Sequence, residues 1–195
     1  MKGKKLLPIL LLVFLLLLAG AYYLYHKLAD MITANQFWIP DGTQTSQSEQ
    51  EHTQADDFVV YDGQGNEVRL SQFFGKPIVL NFWASWCPPC KAEMPDFNSK
   101  HLEIGDDVQF LMVNMTDGAR ETVDIATEFL KQQGYTFPVV FDTKGEAALT
   151  YGAYSLPTTY FISAQGNIVA KATGAISGEE LQRGIDMIYT PEEKE

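Results

Sequence analysis

The chain opens with one long apolar run. Residues 6–25 read LLPILLLVFLLLLAGAYYLY without a charge, and about 20 apolar residues in a helix span roughly 30 Å of hydrocarbon. This run therefore predicts a transmembrane anchor. The lysines within residues 1–5 predict a cytoplasmic N-terminus, so the rest of the chain is expected outside the cell membrane. A cleaved signal peptide is the main alternative, because Ala19-Gly20-Ala21 has the small-x-small pattern of a cleavage site, and a buried core helix is a weaker one.

The pattern changes to polar after the run. Residues 26–56 are rich in Gln, Thr, Ser and Glu, and such a composition cannot bury enough apolar surface to fold alone. We interpret this segment as a flexible linker. The periodic patterns that follow predict a folded domain over residues 57–190, and residues 191–195 read as a short acidic tail.

Within the folded domain, periods of two and of 3.6 residues alternate. The segments FVVY and EVRL flank the Gly-rich turn DGQGN and predict a hairpin. IVLNFWA, residues 78–84, is apolar on both faces, which is typical of a central strand. The other predicted strands are 108–115, 137–142, 158–163 and 168–173, and the predicted helices are 92–104, 121–134, 145–152 and 177–189. This order indicates an α/β fold with a mixed sheet between helices.

The charge excludes one class of partner. The net charge is −11, and outside residues 1–30 the chain carries 10 basic against 24 acidic side chains. Such a body repels nucleic acids and anionic headgroups. We therefore expect no nucleic-acid partner.

The only two cysteines, Cys87 and Cys90, are three residues apart at the predicted start of a helix. The positive helix N-terminus favours a thiolate at Cys87, and Pro88 and Pro89 suit a first helical turn. A thiolate attacks disulfides, and the second thiol can resolve the mixed disulfide.

The alternatives to redox chemistry are weaker. A structural disulfide would close a very short loop, and half a zinc site would lack its second pair of cysteines. Two unrelated buried cysteines are the third alternative. Redox chemistry is favoured.

These residues also carry a family resemblance. The segment NFWASWCPPCK, residues 81–91, resembles the active-site segment of the thioredoxin superfamily. Pro95 matches that family's helix-kinking proline, and LPTT, residues 156–159, matches the loop that holds its cis-proline. Gly174 matches a further glycine of the pattern. The resemblance covers roughly residues 57–189 and implies a thioredoxin-like fold, a cis Pro157, and no cofactor beyond the redox-active disulfide.

Two departures from thioredoxin narrow the resemblance. Asn81 occupies the position of an acid that assists proton transfer in thioredoxin, and asparagine cannot perform that role. Residues 117–141 resemble the helix and strand inserted in the TlpA/ResA group. Together with the predicted anchor, the chain is similar to membrane-tethered TlpA/ResA-type thiol-disulfide oxidoreductases. Peroxiredoxins share part of this architecture, but their cysteine and threonine motif is missing.

The resemblance and the spacing together select the candidate site residues. Cys87 and Cys90 are the candidate catalytic dithiol, and Glu93, three residues after Cys90 on one helical face, is the candidate proton carrier. The alternative for Glu93 is an ordinary glutamate that stabilises the first helical turn. Trp83 is expected in the core and Lys91 in solvent. The candidate substrate-binding residues are Trp86, Pro88, Leu156 and Pro157.

The resemblance implies a reductant of disulfides in exported proteins, such as apocytochrome c during cytochrome c maturation. Electrons would come from a CcdA- or DsbD-like membrane partner. Two alternatives remain open: an oxidase or isomerase that forms disulfides in exported proteins, and a non-catalytic, membrane-tethered binding domain with a structural disulfide. The implied location is the cell membrane, with a single span and an extracytoplasmic catalytic domain.

Overall fold

The computed structural model describes residue 14 and residues 16–23, 37–38 and 53–191. The chain divides into two compact units, Met1–Gln36 and Phe37–Glu195. In the first unit, residues 14 and 16–23 are helical and their side chains are exposed. Among the described residues, no helix has the length and apolar character needed to cross a bilayer.

Several expectations fall mainly outside the described residues. Most of the predicted anchor over residues 6–25 does so, as do the whole of residues 1–5 and residues 192–195 of the predicted acidic tail. The anchor and the orientation that it implies therefore stay predictions.

The second unit is built on a mixed sheet that has nine strands in the described part of the chain. The order is β1-β9-β8-β5-β6-β7-β3-β4, and β2 also pairs with β9. The strands are β1 (Phe37–Trp38), β2 (Thr53–Gln54), β3 (Val59–Tyr61), β4 (Glu67–Arg69), β5 (Ile78–Trp83), β6 (Gln109–Asn114), β7 (Val139–Phe141), β8 (Thr158–Ile162) and β9 (Asn167–Thr173).

The position of β5 explains its sequence. It pairs in parallel with β6 and antiparallel with β8, and all six of its residues are buried. A strand covered on both faces needs apolar side chains in both directions. The predictions of a central strand here and of a hairpin from β3 and β4 are confirmed.

Over residues 53–191 the domain has four α-helices and one 3-10 helix (Leu70–Phe73), and the predicted helices are confirmed. They are α1 (Pro88–Ile104), α2 (Val123–Gln133), α3 (Glu146–Tyr151) and α4 (Gly178–Ile188). Their ends follow local chemistry. Gly134 ends α2 with a left-handed φ of 72°, and Ser177 and Glu180 form a capping box at the start of α4.

The sheet separates two apolar clusters. Val79 and Trp83 of β5 face the cluster that contains α1, α4 and both cysteines. Ile78, Leu80 and Phe82 face the other cluster, together with residues of β3 and α3. Because side chains alternate along a strand, Asn81 belongs to the face on which α1 lies, and its contacts confirm this.

The ordered sheet begins earlier than the predicted boundary at residue 57. The expected flexible linker over residues 26–56 contains β1 and β2, which pair with β9. Ala55 is buried, and its N–H donates to Gly166 O at 2.8 Å. A strand can join a sheet edge through backbone hydrogen bonds alone, so the exposed polar side chains of Thr53 and Gln54 do not prevent pairing.

Candidate active site

The dithiol lies where β5 ends and α1 begins. Cys87 is the N-cap of α1, and Pro88 and Pro89 occupy its first positions. Proline is tolerated there because those N–H groups lack helical partners. Cys87 and Cys90 form a disulfide with an S–S distance of 2.07 Å, and the Cys90 N–H donates to Cys87 Sγ at 3.2 Å.

The two sulfurs differ in their access to solvent. Cys90 is 0% exposed and Cys87 is 3% exposed. Both sulfurs are therefore shielded from solvent, and Cys87 only slightly less than Cys90. Cys87 contributes to the wall of a cavity of about 480 Å³ that Cys90 does not line. That cavity is the route by which another molecule can reach Cys87.

The cavity brings several of the predicted residues together. Trp86, Pro88 and Leu156 line it with Cys87, whereas Pro157 does not. The other lining residues were not predicted from the sequence, and they come from the start of α1, the loop after β6, α3 and the segment between α3 and β8: Pro89, Met115, Asp117, Ala148, Ala153 and Tyr154. Tyr154 is 79% exposed, and its large apolar ring before the Leu-Pro pair was the signal that could have indicated it.

The peptide bond between Leu156 and Pro157 is cis, as the resemblance implied. Pro157 is buried, and its carbonyl accepts a hydrogen bond from Gly174 N at 2.8 Å. Leu156 is half-buried at the cavity wall. The loop thus presents Leu156 towards the cavity and keeps Pro157 behind it.

Glu93 is a buried carboxyl group on the dithiol helix. It is 2% exposed, and it accepts hydrogen bonds from Asn81 Nδ2 at 2.8 Å and from the Ile176 N–H at 3.0 Å. Burial raises the pKa of Glu93 to about 7, although both hydrogen bonds act to lower it. The first turn of α1 contains no acidic residue. The alternative of an ordinary first-turn glutamate is therefore wrong.

The two tryptophans of the motif have different surroundings. Trp83 is fully buried in the cluster with the cysteines, so its expected core position is confirmed. Trp86 is half-buried, and the Arg120 guanidinium carbon lies 3.8 Å from the centroid of its ring. Lys91 is exposed, as expected.

Sequence reasoning missed a second buried carboxyl group beside the dithiol turn. Glu121 is 0% exposed. It accepts hydrogen bonds from the Ser85 N–H at 2.7 Å, from Ser85 Oγ at 2.6 Å and from Asn114 Nδ2 at 2.7 Å. Its position as the first residue of the predicted helix 121–134, where a glutamate is common, gave no signal of a buried contact. In the described residues, no group of three or more His, Cys, Asp or Glu side chains is placed to hold a metal ion.

Comparison with known proteins decides the family. The sequence profile of the AhpC/TSA family matches residues 52–171, which include the dithiol and the sheet strands from β2 onwards. The chain belongs to the AhpC/TSA family. Proteins that are similar over most of the chain are named as thiol-disulfide oxidoreductases.

Two of these similar proteins cover most of the chain. The thiol-disulfide oxidoreductase ResA of Bacillus thuringiensis subsp. konkukian is 36% identical over 138 residues, which cover 69% of this chain and 76% of that protein. The sporulation thiol-disulfide oxidoreductase A of Bacillus subtilis is 30% identical over 146 residues, which cover 74% of this chain and 86% of that protein. The prediction of a ResA-like thiol-disulfide oxidoreductase is confirmed.

Solved structures support the thioredoxin-like fold. StoA from Bacillus subtilis aligns with a TM-score of 0.57 at 30% identity and covers 66% of this chain and 96% of its own. The exposed lipoprotein thioredoxin Etrx1 from Streptococcus pneumoniae aligns with a TM-score of 0.58 at 34% identity. The alignment covers 67% of this chain and 99% of Etrx1. The protein is therefore an enzyme of the thiol-disulfide oxidoreductase class, with its disulfide between Cys87 and Cys90.

Proposed function

We propose that the protein reduces disulfides in exported proteins. The observation that carries this direction is the buried Glu93 carboxyl group on the dithiol helix. A negative charge near a thiol disfavours the thiolate. Oxidants of the DsbA type depend on a stabilised reduced form, so a group that disfavours the thiolate makes the disulfide harder to reduce and the dithiol a better donor of electrons.

In the proposed reaction, the Cys87 thiolate attacks one sulfur of a substrate disulfide, and the other substrate sulfur leaves as a thiolate. Cys90 then attacks Cys87 Sγ, which breaks the mixed disulfide and closes the Cys87–Cys90 bond. Two electrons pass to the substrate, and two protons complete its thiols. Glu93 is the proposed acceptor of the Cys90 proton, because it lies one helical turn from Cys90 and burial holds its pKa at about 7.

The proposed substrate site is the cavity in front of Cys87. Trp86 and Pro88 form one side of the approach, and Leu156 forms another. An extended substrate segment would run beside the backbone of Leu156 in the manner of strand addition, while Pro157 fixes that loop. A side chain next to the substrate cysteine would enter the cavity.

The proposed location and partners follow from the N-terminal sequence and the resemblance. The apolar run over residues 6–25 with lysines before it favours a single span and an extracytoplasmic domain. Exported proteins with cysteine pairs, such as apocytochrome c, are the proposed substrates. A CcdA- or DsbD-like membrane protein is the proposed donor of the two electrons that restore the dithiol.

The test is to trap the substrate and determine its redox state. Cys90→Ser should accumulate mixed disulfides with exported proteins through Cys87, because the resolving thiol is absent. Cys87→Ser is the matched control and should trap none. In cells that lack the protein, the trapped substrates should accumulate as disulfides. Accumulation of their free thiols would instead indicate an oxidase, and trapping by Cys87→Ser would reverse the roles of the cysteines.

A further inference from the structure

Glu121 connects two segments that meet beside the dithiol. It lies in the loop between β6 and α2, and its carboxyl oxygens contact Ser85, in the turn between β5 and α1. Oε1 accepts from the Ser85 N–H and from Asn114 Nδ2, and Oε2 accepts from Ser85 Oγ. A backbone N–H and an amide NH₂ can only donate, so Oε1 is the acceptor in both of its hydrogen bonds.

The contacted turn leads directly to the attacking sulfur. Ser85 is two residues before Cys87, so the two Cα atoms are at most about 7 Å apart. The Cys87 N–H donates to Ala84 O at 3.2 Å and closes the turn. On the other side of this junction, Met115 N donates to Trp83 O at 2.9 Å. Glu121 therefore lies where the two parallel strands end, and it fixes the backbone that carries Cys87.

The loop that bears Glu121 is itself held in shape. Asp117 Oδ1 accepts hydrogen bonds from the N–H groups of Ala119, Arg120 and Glu121 at 2.7–2.9 Å. The Arg120 guanidinium group then covers the Trp86 ring at 3.8 Å. The same loop thus contacts both residues that precede Cys87, Ser85 through Glu121 and Trp86 through Arg120.

Glu121 differs from most charged groups near the dithiol because it is buried. Burial matters because a charge shielded from water acts over a longer distance than an exposed one. The other charged or titratable side chains near Cys87 or in the wall of its cavity are exposed: Lys91, Asp117, Arg120 and Tyr154. Glu93 on α1 and Tyr151 on α3 are buried. Glu121 and Glu93 therefore approach the dithiol from two different elements, the loop after β6 and α1.

We propose that Glu121 is a positioning residue of the dithiol, which fixes the turn ahead of Cys87 and whose buried negative charge makes the Cys87–Cys90 pair a stronger reductant. This inference deepens the proposed function and rests on it. The charge disfavours the thiolate that reduction would create at Cys87, and so it favours transfer of electrons from the dithiol to the substrate.

The test compares two substitutions that separate charge from shape. Glu121→Gln keeps the size of the side chain and removes its charge, whereas Glu121→Asp keeps the charge and shortens the side chain. The measurement is the equilibrium constant between the Cys87–Cys90 disulfide and a glutathione redox buffer. Glu121→Gln should shift this constant on the order of tenfold towards the dithiol, and Glu121→Asp should stay within about twofold of the parent. Glu179→Gln, an exposed glutamate of α4, is the matched control and should not shift it.

A second variant keeps the proposal testable if Glu121→Gln does not fold. Ser85→Ala removes the donor to Oε2, so the Glu121 carboxylate is held less firmly beside the turn. It should shift the equilibrium in the same direction by a smaller factor, about threefold, and should speed alkylation of Cys87, because the negative charge then opposes the Cys87 thiolate less. Parent values for either folded variant would overturn the proposal.

These differences are independent of the absolute potential. If the parent proves to be an oxidant and Glu121→Gln still shifts the equilibrium, the proposed direction of the reaction fails and the role of Glu121 stands. If the parent is a reductant and the variants do not differ from it, the proposed direction of the reaction stands and the role of Glu121 fails.

Discussion

The carboxyl group of Glu93 is buried from solvent and accepts hydrogen bonds from two donors, Asn81 Nδ2 and the Ile176 N–H. Burial raises its pKa from an ordinary value of 4.5 to about 7. Both protonation states are therefore populated near neutral pH, which is where a group that exchanges protons with thiols is most effective. Asn81 occupies the position of an acid in thioredoxin. Its amide cannot transfer protons, and here it donates a hydrogen bond to Glu93.

Replacing Glu93 by Gln should remove a pH dependence of stability. The folded-state pKa lies above the unfolded value, so the stabilisation from Glu93 is complete below about pH 4.5 and is lost as the pH rises through about 7. A shift of this size corresponds to roughly 3 kcal/mol of unfolding free energy. Urea unfolding of the oxidised protein at pH 5 and pH 8 measures it, because the disulfide does not titrate. Between these two pH values the parent should lose most of this free energy relative to Glu93→Gln.

The structure can accommodate this substitution. Asn81 Oδ1 is buried without a hydrogen-bond partner, so rotation of the Asn81 amide would let it accept from the amide group of the introduced glutamine. Glu103→Gln, at an exposed position of α1 that pairs with Lys100, is the control and should keep the parent's pH dependence. Equal pH dependence in the parent and Glu93→Gln would mean that Glu93 does not titrate in this range.

For single residues, the sequence predicted the short local motifs but not the contacts between residues far apart in the chain. The Cys-Pro-Pro-Cys segment and the Leu-Pro-Thr-Thr segment are short and specific, so they indicated the dithiol and the cis Pro157. The spacing of Glu93 placed it on the Cys90 face, but its partner Ile176 is 83 residues away. Glu121 meets Ser85 across 36 residues. Such contacts depend on how strands and loops come together, which no local pattern records.

Among the elements, α4 crosses β8 at very close range. At Gly184 an added Cβ would overlap the ring of Phe161, which is fully buried in β8. The helix can approach the sheet only because this position lacks a side chain. Gly184 lies on the buried face of α4 next to Ile185.

Gly184→Ala should therefore lower the free energy of unfolding, by about 1–3 kcal/mol or more, because overpacking forces side chains or backbone to shift. The measurement is urea unfolding. Gly63→Ala is the control, since its Cβ would meet Phe141 only at 4.0 Å. In a double-mutant cycle with Phe161→Leu the cost of Gly184→Ala should fall. An equal cost in both backgrounds would show that Phe161 is not the residue in conflict.

The elements that could be predicted were those with apolar periodicity and capping residues. Ser177 with Glu180 marked the start of α4, and Gly134 marked the end of α2. The pairing of β1 and β2 with β9 could not be predicted, because these two-residue strands join through backbone hydrogen bonds and carry no alternating pattern. Their polar context predicted a linker.

At the scale of the whole molecule, the sheet places one dithiol at the edge of one cavity, on a body with strong negative charge. Two buried carboxyl groups, Glu93 and Glu121, lie on the elements around that dithiol. Stabilised thiolates are typical of oxidants, whereas these carboxyl groups act against thiolate formation. We therefore expect this oxidoreductase to donate electrons to its substrate.

The reduction potential of the Cys87–Cys90 pair tests whether the dithiol donates electrons to its substrate. It is measured by equilibrating the protein with redox buffers of known potential and quantifying the thiols by alkylation. We predict a value near the roughly −270 mV of thioredoxin, because the buried carboxyl groups disfavour the reduced, thiolate-containing form. A value near the roughly −120 mV of DsbA would instead mean that the dithiol accepts electrons and that the protein forms disulfides in its substrates.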